Sequence, residues 1–494
     1  MKRPIVRACG ASGRRRAVVT RGARWTRLIA AASIALLAAT SLPTGVTTTL
    51  SASARPNIVV FYVDDVSPHD GRLWNSSTRT PSIHRNFVSR GLRVKHAIAE
   101  NPLCCPARAN LLTGLHTHNN GVAGNDGSKF DPSVHIGRRL REVGYASMFI
   151  GKYLNRVDQF TSSQWKAHAA GWTHLDVINA INGRFYNYRL FTKNGPISYG
   201  SEPSDHSTQM VADRAVRRFR QVPADKPIFA ILAMYNLHAP NTPMPRFRGS
   251  SLCSDMPPWK PPSYNEADVS DKPAWVRKRT LQPYTNGWPM VRNCEGMLGI
   301  DWVVKKVIGE LRAQGRLENT LLVFTGDNGM GWGEHRLPKK RSPYSTPVPL
   351  FLSWSARWGS AGRVVREHVS NIDLAPTFCA VGGCRMGPFP NGQSRADGVN
   401  ILPLLDGKIA NLGRDAILER GRAANGAVPW TALRTTSLHG AGLWHYVEYR
   451  TGERELYDLR RDPWELQNLA ADPSLRTLRS SLAQRLAELR REGG

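Results

Sequence analysis

Apolar runs without alternation recur along the chain, and each breaks off in polar residues. Asn57-Ile-Val-Val-Phe-Tyr-Val63 is β-branched and aromatic and stops at Asp64-Asp65. Residues 145–150 are apolar and end in Gly151-Lys152, 228–235 end shortly before His238, and 320–325 end in Asp327-Asn328. A strand buried on both faces has this appearance, because neither set of alternate side chains meets water. Between the runs the period changes to that of a helix. Met297, Ile300, Val303, Val304, Val307, Ile308 and Leu311 make one apolar stripe, and residues 208–220 make another.

Strands alternating with helices predict an α/β fold: a large mixed, mostly parallel sheet covered by helices on both faces. In such sheets ligands bind beyond the carboxyl ends of the strands, so the polar strand ends are expected to converge. Residues 241–290, rich in Pro and Trp, show no periodic element and read as a long excursion over the surface, shaping access to that end. After about residue 401 the pattern changes to short, partly alternating strands over 443–450 and 455–459. A closing amphipathic helix is marked by Leu475, Leu478, Leu482, Leu486 and Leu489. The expected organisation is a leader over 1–54, a main domain over 55–400 and a smaller C-terminal α+β subdomain over 401–494.

The leader combines a basic start, an apolar run over 28–42 broken soon after by Pro43 and Gly45, and the small-residue ending Ala52-Ser53-Ala54. That is the form of a cleaved signal peptide, and the run is too short for a membrane span, which needs about 20 apolar residues. The cluster Arg14–Arg16 leaves a twin-arginine route open beside the general one. No later stretch is apolar enough to span, so the expected location is outside the cell. The formal charge of +29 includes nine Lys and Arg in a leader with no acid, which leaves +20 on the mature chain. Such a surface suits a polyanionic partner, and suits a generally basic exported protein equally; no nucleic-acid recognition motif accompanies it. Of seven cysteines, Cys9 lies in the leader. In an oxidising compartment Cys379 can pair with Cys384, and Cys253 with Cys294 across the long excursion, leaving Cys104 and Cys105, although sequence alone does not determine connectivity.

The stretch Cys104-Cys-Pro-Ala-Arg-Ala-Asn-Leu-Leu-Thr-Gly114 carries the most pointed chemistry. Pro106 suits the first turn of a helix, so the two cysteines are expected just before it, where free N–H groups favour negative charge. Arg108 adds a planar cation that fits an oxyanion. On spacing alone, a buried cysteine pair before an ordinary helix is an equal reading. Asp64, Asp65, Asp327 and Asn328 supply hard oxygen ligands suited to Ca²⁺, with Mg²⁺ second. Together with Cys104-x-Pro106-x-Arg108 and Leu112-Thr113-Gly114, they resemble the sulfatase family, in which the first cysteine of this signature is oxidised to formylglycine by a formylglycine-generating enzyme.

The resemblance implies that Asp64, Asp65, Cys104, Asp327 and Asn328 hold the metal. It implies that Arg108 holds the formylglycine hydrate, that Lys152 and Lys340 hold sulfate oxygens, and that His238 serves the leaving group. Lys340 is chosen over Lys339 because it precedes Tyr344 by four residues. Leu154 stands where many members have a second histidine, which shifts proton transfer toward His238. The implied mechanism is covalent: one hydroxyl of the hydrate attacks sulfur, the alcohol leaves, and the second hydroxyl expels sulfate. The double cysteine, Gly151-Lys-Tyr-Leu-Asn155 and Tyr186-Asn-Tyr188 are most similar to N-acetylglucosamine-6-sulfatases, implying a sulfated amino sugar or glycosaminoglycan as substrate. Two rival functions are a phosphoester or phosphonate hydrolase on the same scaffold, and a secreted binder of sulfated polysaccharide that cleaves nothing.

Overall fold

The computed structural model describes residues 55–68, 71–178, 185–340, 342–421, 428–440 and 442–492. The leader expected over 1–54 lies outside the described residues. The first apolar run forms β1 (Asn57–Val63), and the strands that follow are β2 (Leu92–Ile98), β3 (Ala146–Lys152), β4 (His174–Ile178), β5 (Arg189–Thr192) and β6 (Gly195–Ser198). After them come β7 (Ile228–Met234), β8 (Thr320–Gly326), a two-stranded hairpin of β9 (Gly331–Trp332) and β10 (Pro338–Lys339), β11 (Leu350–Ser353) and β12 (Arg363–Ser370). Ten of them build one sheet in the order β12-β2-β11-β8-β1-β7-β3-β4-β5-β6. Its centre is parallel, β8, β1, β7, β3 and β4 running the same way, while β11 and β5 run against it and β6 turns back antiparallel to β5.

Both faces are covered. On one, Ile58, Val60 and Tyr62 of β1 pack with residues of α1 (Cys104–Thr113), α2 (Ile136–Glu142) and a later helix that carries Phe378. On the other, Val59, Phe61 and Val63 pack with α3 (Ser207–Arg220) and α4 (Val291–Ala313), the two helices read from the sequence. The helix carrying Phe378 is α5 (Leu374–Gly382). Every residue of β1, β3, β7 and β8 is buried, as a period-free apolar run requires.

The register levels the strand ends. Val63 lies opposite both Met234 and Gly326, and Gly151 opposite Ala233, so Lys152 falls in the same row. Gly151 is obligatory there: its φ is +106°, and a Cβ would stand 2.1 Å from the Ala233 carbonyl oxygen.

A separate antiparallel sheet, β13 (Ala416–Gly421), β14 (Trp430–Thr435), β15 (Trp444–Tyr449) and β16 (Arg454–Asp458), carries α6 (Arg476–Leu489) on Leu482, Leu486 and Leu489. β13 and β14 precede the two strands expected from the pattern. The excursion 241–290 is extended but pinned: Cys253 is bonded to Cys294 of α4, and Trp259 bridges Trp288. Cys379 and Cys384 form the second disulfide, and Cys104 and Cys105 are free. Among the described residues, no helix is long and apolar enough to cross a membrane.

Candidate active site

The two cysteines do not precede the helix as expected; they are its first two residues, with Leu103 as the N-cap and Pro106 third. Pro106 is tolerated there because the first four N–H groups of a helix have no intrahelical acceptor. Gly114, at φ +73°, closes the helix in the left-handed conformation. Cys104 is 2% exposed, and its Sγ lies 3.6 Å from the side-chain oxygens of both Asn125 and Asn155. Burial pushes the neighbouring Cys105 thiol up to about 12, so only Cys104 keeps a polar setting.

Around this turn the levelled strand ends bring the other candidates together. Arg108, fully buried, grips Asp327 Oδ2 through Nε at 3.0 Å and Nη2 at 2.9 Å, donates from Nη1 to the Lys152 carbonyl at 2.6 Å, and lies 3.6 Å from Asp64. Its guanidinium also lies 4.9 Å from the Tyr62 ring centre. Asp327 Oδ1 accepts from the N–H groups of Asp65 and Asn328. The Asn328 amide donates to Asp65 Oδ1 at 2.8 Å. Lys152 pairs with Asp64, and Lys340 with Asp65. His238 places Nε2 4.0 Å from Asp65, while Nδ1 contacts the Ala239 carbonyl at 2.7 Å. A proton on Nδ1 satisfies that carbonyl and leaves Nε2 turned to the cluster.

Three carboxylates thus face three cations. Burial raises Asp64 above the usual carboxyl range, and Asp327 adds to the effect against Lys152. Burial would raise Asp65 as well, but Lys340 and His238 outweigh it and hold the group below that range. Burial disfavours charge on Lys152 and Lys340, yet Asp64 and Asp65 opposite keep both ammoniums charged. Neither oxygen of Asp64 accepts a hydrogen bond of normal geometry, although both are buried. A carboxylate left in that state has lone pairs for a hard cation, and Asp64, Asp65 and His238 each offer one ligand atom within 4.8 Å of the others. The donor set fits a divalent metal.

The polar cluster opens into a cleft of about 1010 Å³ that Asp65, His238 and Lys340 share with Trp275, Trp288 and Trp332. Two of these tryptophans come from the excursion 241–290 and one from β9. Asn125, Asn155, Tyr62 and the tryptophan wall were not singled out from the sequence. Only Asn155 carried a signal, as the last residue of Gly-Lys-Tyr-Leu-Asn.

Residues 56–384 match the family described as Sulfatase, two thirds of the chain. The chain belongs to the sulfatase family. The family is that of sulfuric ester hydrolases, and residues 333–492 of this sulfatase also match the C-terminal family of N-sulphoglucosamine sulphohydrolase. Among curated proteins it is 31% identical over 370 residues to an extracellular sulfatase SULF-1 homolog of Drosophila melanogaster, covering 71% of this chain but 31% of that one. It is 25% identical to human N-acetylglucosamine-6-sulfatase, with 87% of this chain and 84% of the relative covered. Among solved structures it superposes with TM-score 0.72 on a protein bound to its substrate D-glucosamine-2-N,6-O-disulfate, at 19% identity over 88% of this chain and 97% of the other. That likeness extends to the fold.

Proposed function

We propose that this sulfatase is a secreted enzyme that hydrolyses a sulfate ester on an amino sugar, within a glycosaminoglycan or a fragment of one. Cys104, converted to formylglycine, is its nucleophilic position, and Asp64, Asp65, Asp327 and Asn328 are its metal ligands. The observation that carries the reading is the set of three buried carboxylates, the buried Arg108 and Lys152 and the partly buried Lys340, closing around the first turn of α1. Three carboxylates balance three cations, so a bound divalent cation would leave net positive charge to receive the singly charged sulfate ester. The relatives' names supply the substrate class, and the aromatic cleft suits a sugar. Calcium is the preferred cation because every proposed protein ligand is a hard oxygen. The main domain, 55–400, supplies the cluster, and the C-terminal subdomain, 401–494, holds Tyr344 through Glu455.

Formylglycine supplies a geminal-diol nucleophile, and the bound cation supplies Lewis acidity toward sulfuryl oxygens. Arg108 orients Asp327 by its two-point grip and keeps positive charge against residue 104. Lys152 and Lys340 are charged, buried and already aimed at oxyanions, so they hold sulfate oxygens and stabilise charge that builds on them. As the imidazolium, His238 keeps Nδ1–H on the Ala239 carbonyl and gives the departing alcohol its second proton, from Nε2. Asn125 and Asn155 fix the rotamer at position 104 through their amides.

The test is peptide mass spectrometry across Cys104 of protein secreted by its native host, combined with turnover of matched 6-O-sulfate and 6-O-phosphate esters of N-acetylglucosamine. Formylglycine at residue 104, preference for the sulfate ester and loss of turnover in Cys104→Ala with an unchanged melting temperature are expected. Unmodified Cys104, or faster phosphate release, overturns the proposal.

A further inference from the structure

Beyond its catalytic end the cleft continues over a wall that the reaction itself does not use. Its volume of about 1010 Å³ is at the top of the range that encloses a small ligand, about 300–1,000 Å³. One sugar ring with its sulfate fills only part of it. Along this wall three aromatic rings stand in series, Tyr284 and Trp288 with centroids 5.2 Å apart and Trp288 and Trp332 5.6 Å apart. Tyr284 is 43% exposed at the mouth, whereas Trp332 is 5% exposed at the inner end. Such rings give an apolar face to the C–H surface of a sugar and a polar edge to its hydroxyls.

The same wall is cationic. Arg292 and Lys339 line it, and neither has an ion-pair partner among the described residues; Arg292 Nη1 reaches only the Pro240 carbonyl, at 3.4 Å. Lys339 is held at φ +76° by the pairing of β10 with β9, which leaves its side chain exposed while the next residue, Lys340, turns in to Asp65. A non-glycine residue in that conformation is costly and persists where its surroundings impose it. The carboxylate of the wall, Glu295, is engaged by the Gly249 N–H at 2.7 Å and does not offset the two cations at the surface of the cleft.

We propose that this outer cleft is a second subsite, taking the sugar residue joined to the reacting one and recognising a negative substituent on it through Arg292 and Lys339. The substituent is a carboxylate or a second sulfate, and Trp288 stacks on the ring that bears it. The inference rests on the sulfatase reading above and deepens it by assigning residues of this chain to the charged neighbour of the reacting sugar.

The experiment uses three disaccharides of 6-O-sulfated N-acetylglucosamine, its partner being a hexuronate, the corresponding neutral hexose or a sulfated hexose. The readout is the ratio of kcat/KM for each charged disaccharide to the neutral one. Arg292→Ala is expected to lower that ratio about tenfold, chiefly through KM, as the loss of one contact to a charged group does, and Arg292→Lys to recover most of it. Trp288→Ala lowers kcat/KM for all three disaccharides relative to the monosaccharide. The disaccharide whose ratio responds to Arg292 identifies carboxylate or sulfate as the group recognised. A ratio equal in wild type and Arg292→Ala overturns the subsite. If the wild type cleaves none of these esters, the catalytic reading fails, and calorimetric binding of the same disaccharides to Cys104→Ala protein, with and without Arg292→Ala, still decides the subsite by the same ratio.

Discussion

Replacing Cys253 and Cys294 together by alanine releases the aromatic wall of the cleft from α4. The bridge closes a loop with a sequence separation of 41. In the chain-entropy account, a loop of this length restricts the unfolded chain by about 4 kcal/mol at 25 °C. The other bridge, Cys379–Cys384, closes a separation of only 5, for which the same relation gives about 2 kcal/mol. Paired alanine variants of each bridge, unfolded in guanidinium under oxidising conditions beside the wild type, compare the two. The Cys253/Cys294 pair is expected to lose about twice the stability of the other. It is also expected to raise KM for an oligosaccharide, because Trp275, Tyr284 and Trp288 lie within or beside the released loop. Equal losses, or a larger loss from the short bridge, would refute the reasoning that loop entropy sets these contributions.

Two further outcomes follow from burial. Asp327→Asn removes the charge that balances the fully buried Arg108, and the thermal midpoint should fall by an amount corresponding to about 3–5 kcal/mol; a midpoint within experimental error of wild type would contradict the pairing. His168, His206 and His368 are kept neutral by burial, their values lowered to about 4, 4 and 3 from 6.5. Their unfolded forms therefore bind protons first, so their contribution is complete above about pH 6.5 and is lost as pH falls toward 4. A tenfold difference in proton affinity between the unfolded and folded chain is worth about 1.4 kcal/mol, so each well-buried histidine makes the denaturant midpoint drop between pH 7 and 4.5. A flat profile over that interval would remove them as the cause.

The parallel centre of the sheet was legible because β1, β3, β7 and β8 are apolar without alternation, a pattern produced only by burial on both faces. β12 was not, since its sequence, Arg-Val-Val-Arg-Glu-His-Val-Ser, alternates weakly and sits at the edge. β11 is four residues long and gives period reasoning little to count. The acids and Lys152 were visible as polar groups after apolar runs, whereas Lys340 came only from the family resemblance, by its spacing to Tyr344. Which lysine meets which acid depends on ladder register, which pairs residues such as Val63 and Gly326 across more than half the chain. Asn125 was missed because asparagine in a glycine-rich stretch reads first as a turn residue, and Asn155, though part of Gly-Lys-Tyr-Leu-Asn, gave no sign that it faces Cys104. The tryptophans of the excursion have no period, so composition marked a surface segment without showing that it walls a cleft.

The levelled row of strand ends also has a meaning in time. Val63, Lys152, Met234 and Gly326 become neighbours only when strands far apart in the chain have all paired, and contacts of such long range form late. No fragment or half-folded form of the chain can hold the cluster, so the emerging polypeptide is chemically silent until its core closes. Cys104, 2% exposed in the closed form, is then out of reach of another enzyme. The modification proposed for that residue, if made by a protein catalyst, would therefore belong to the interval before folding.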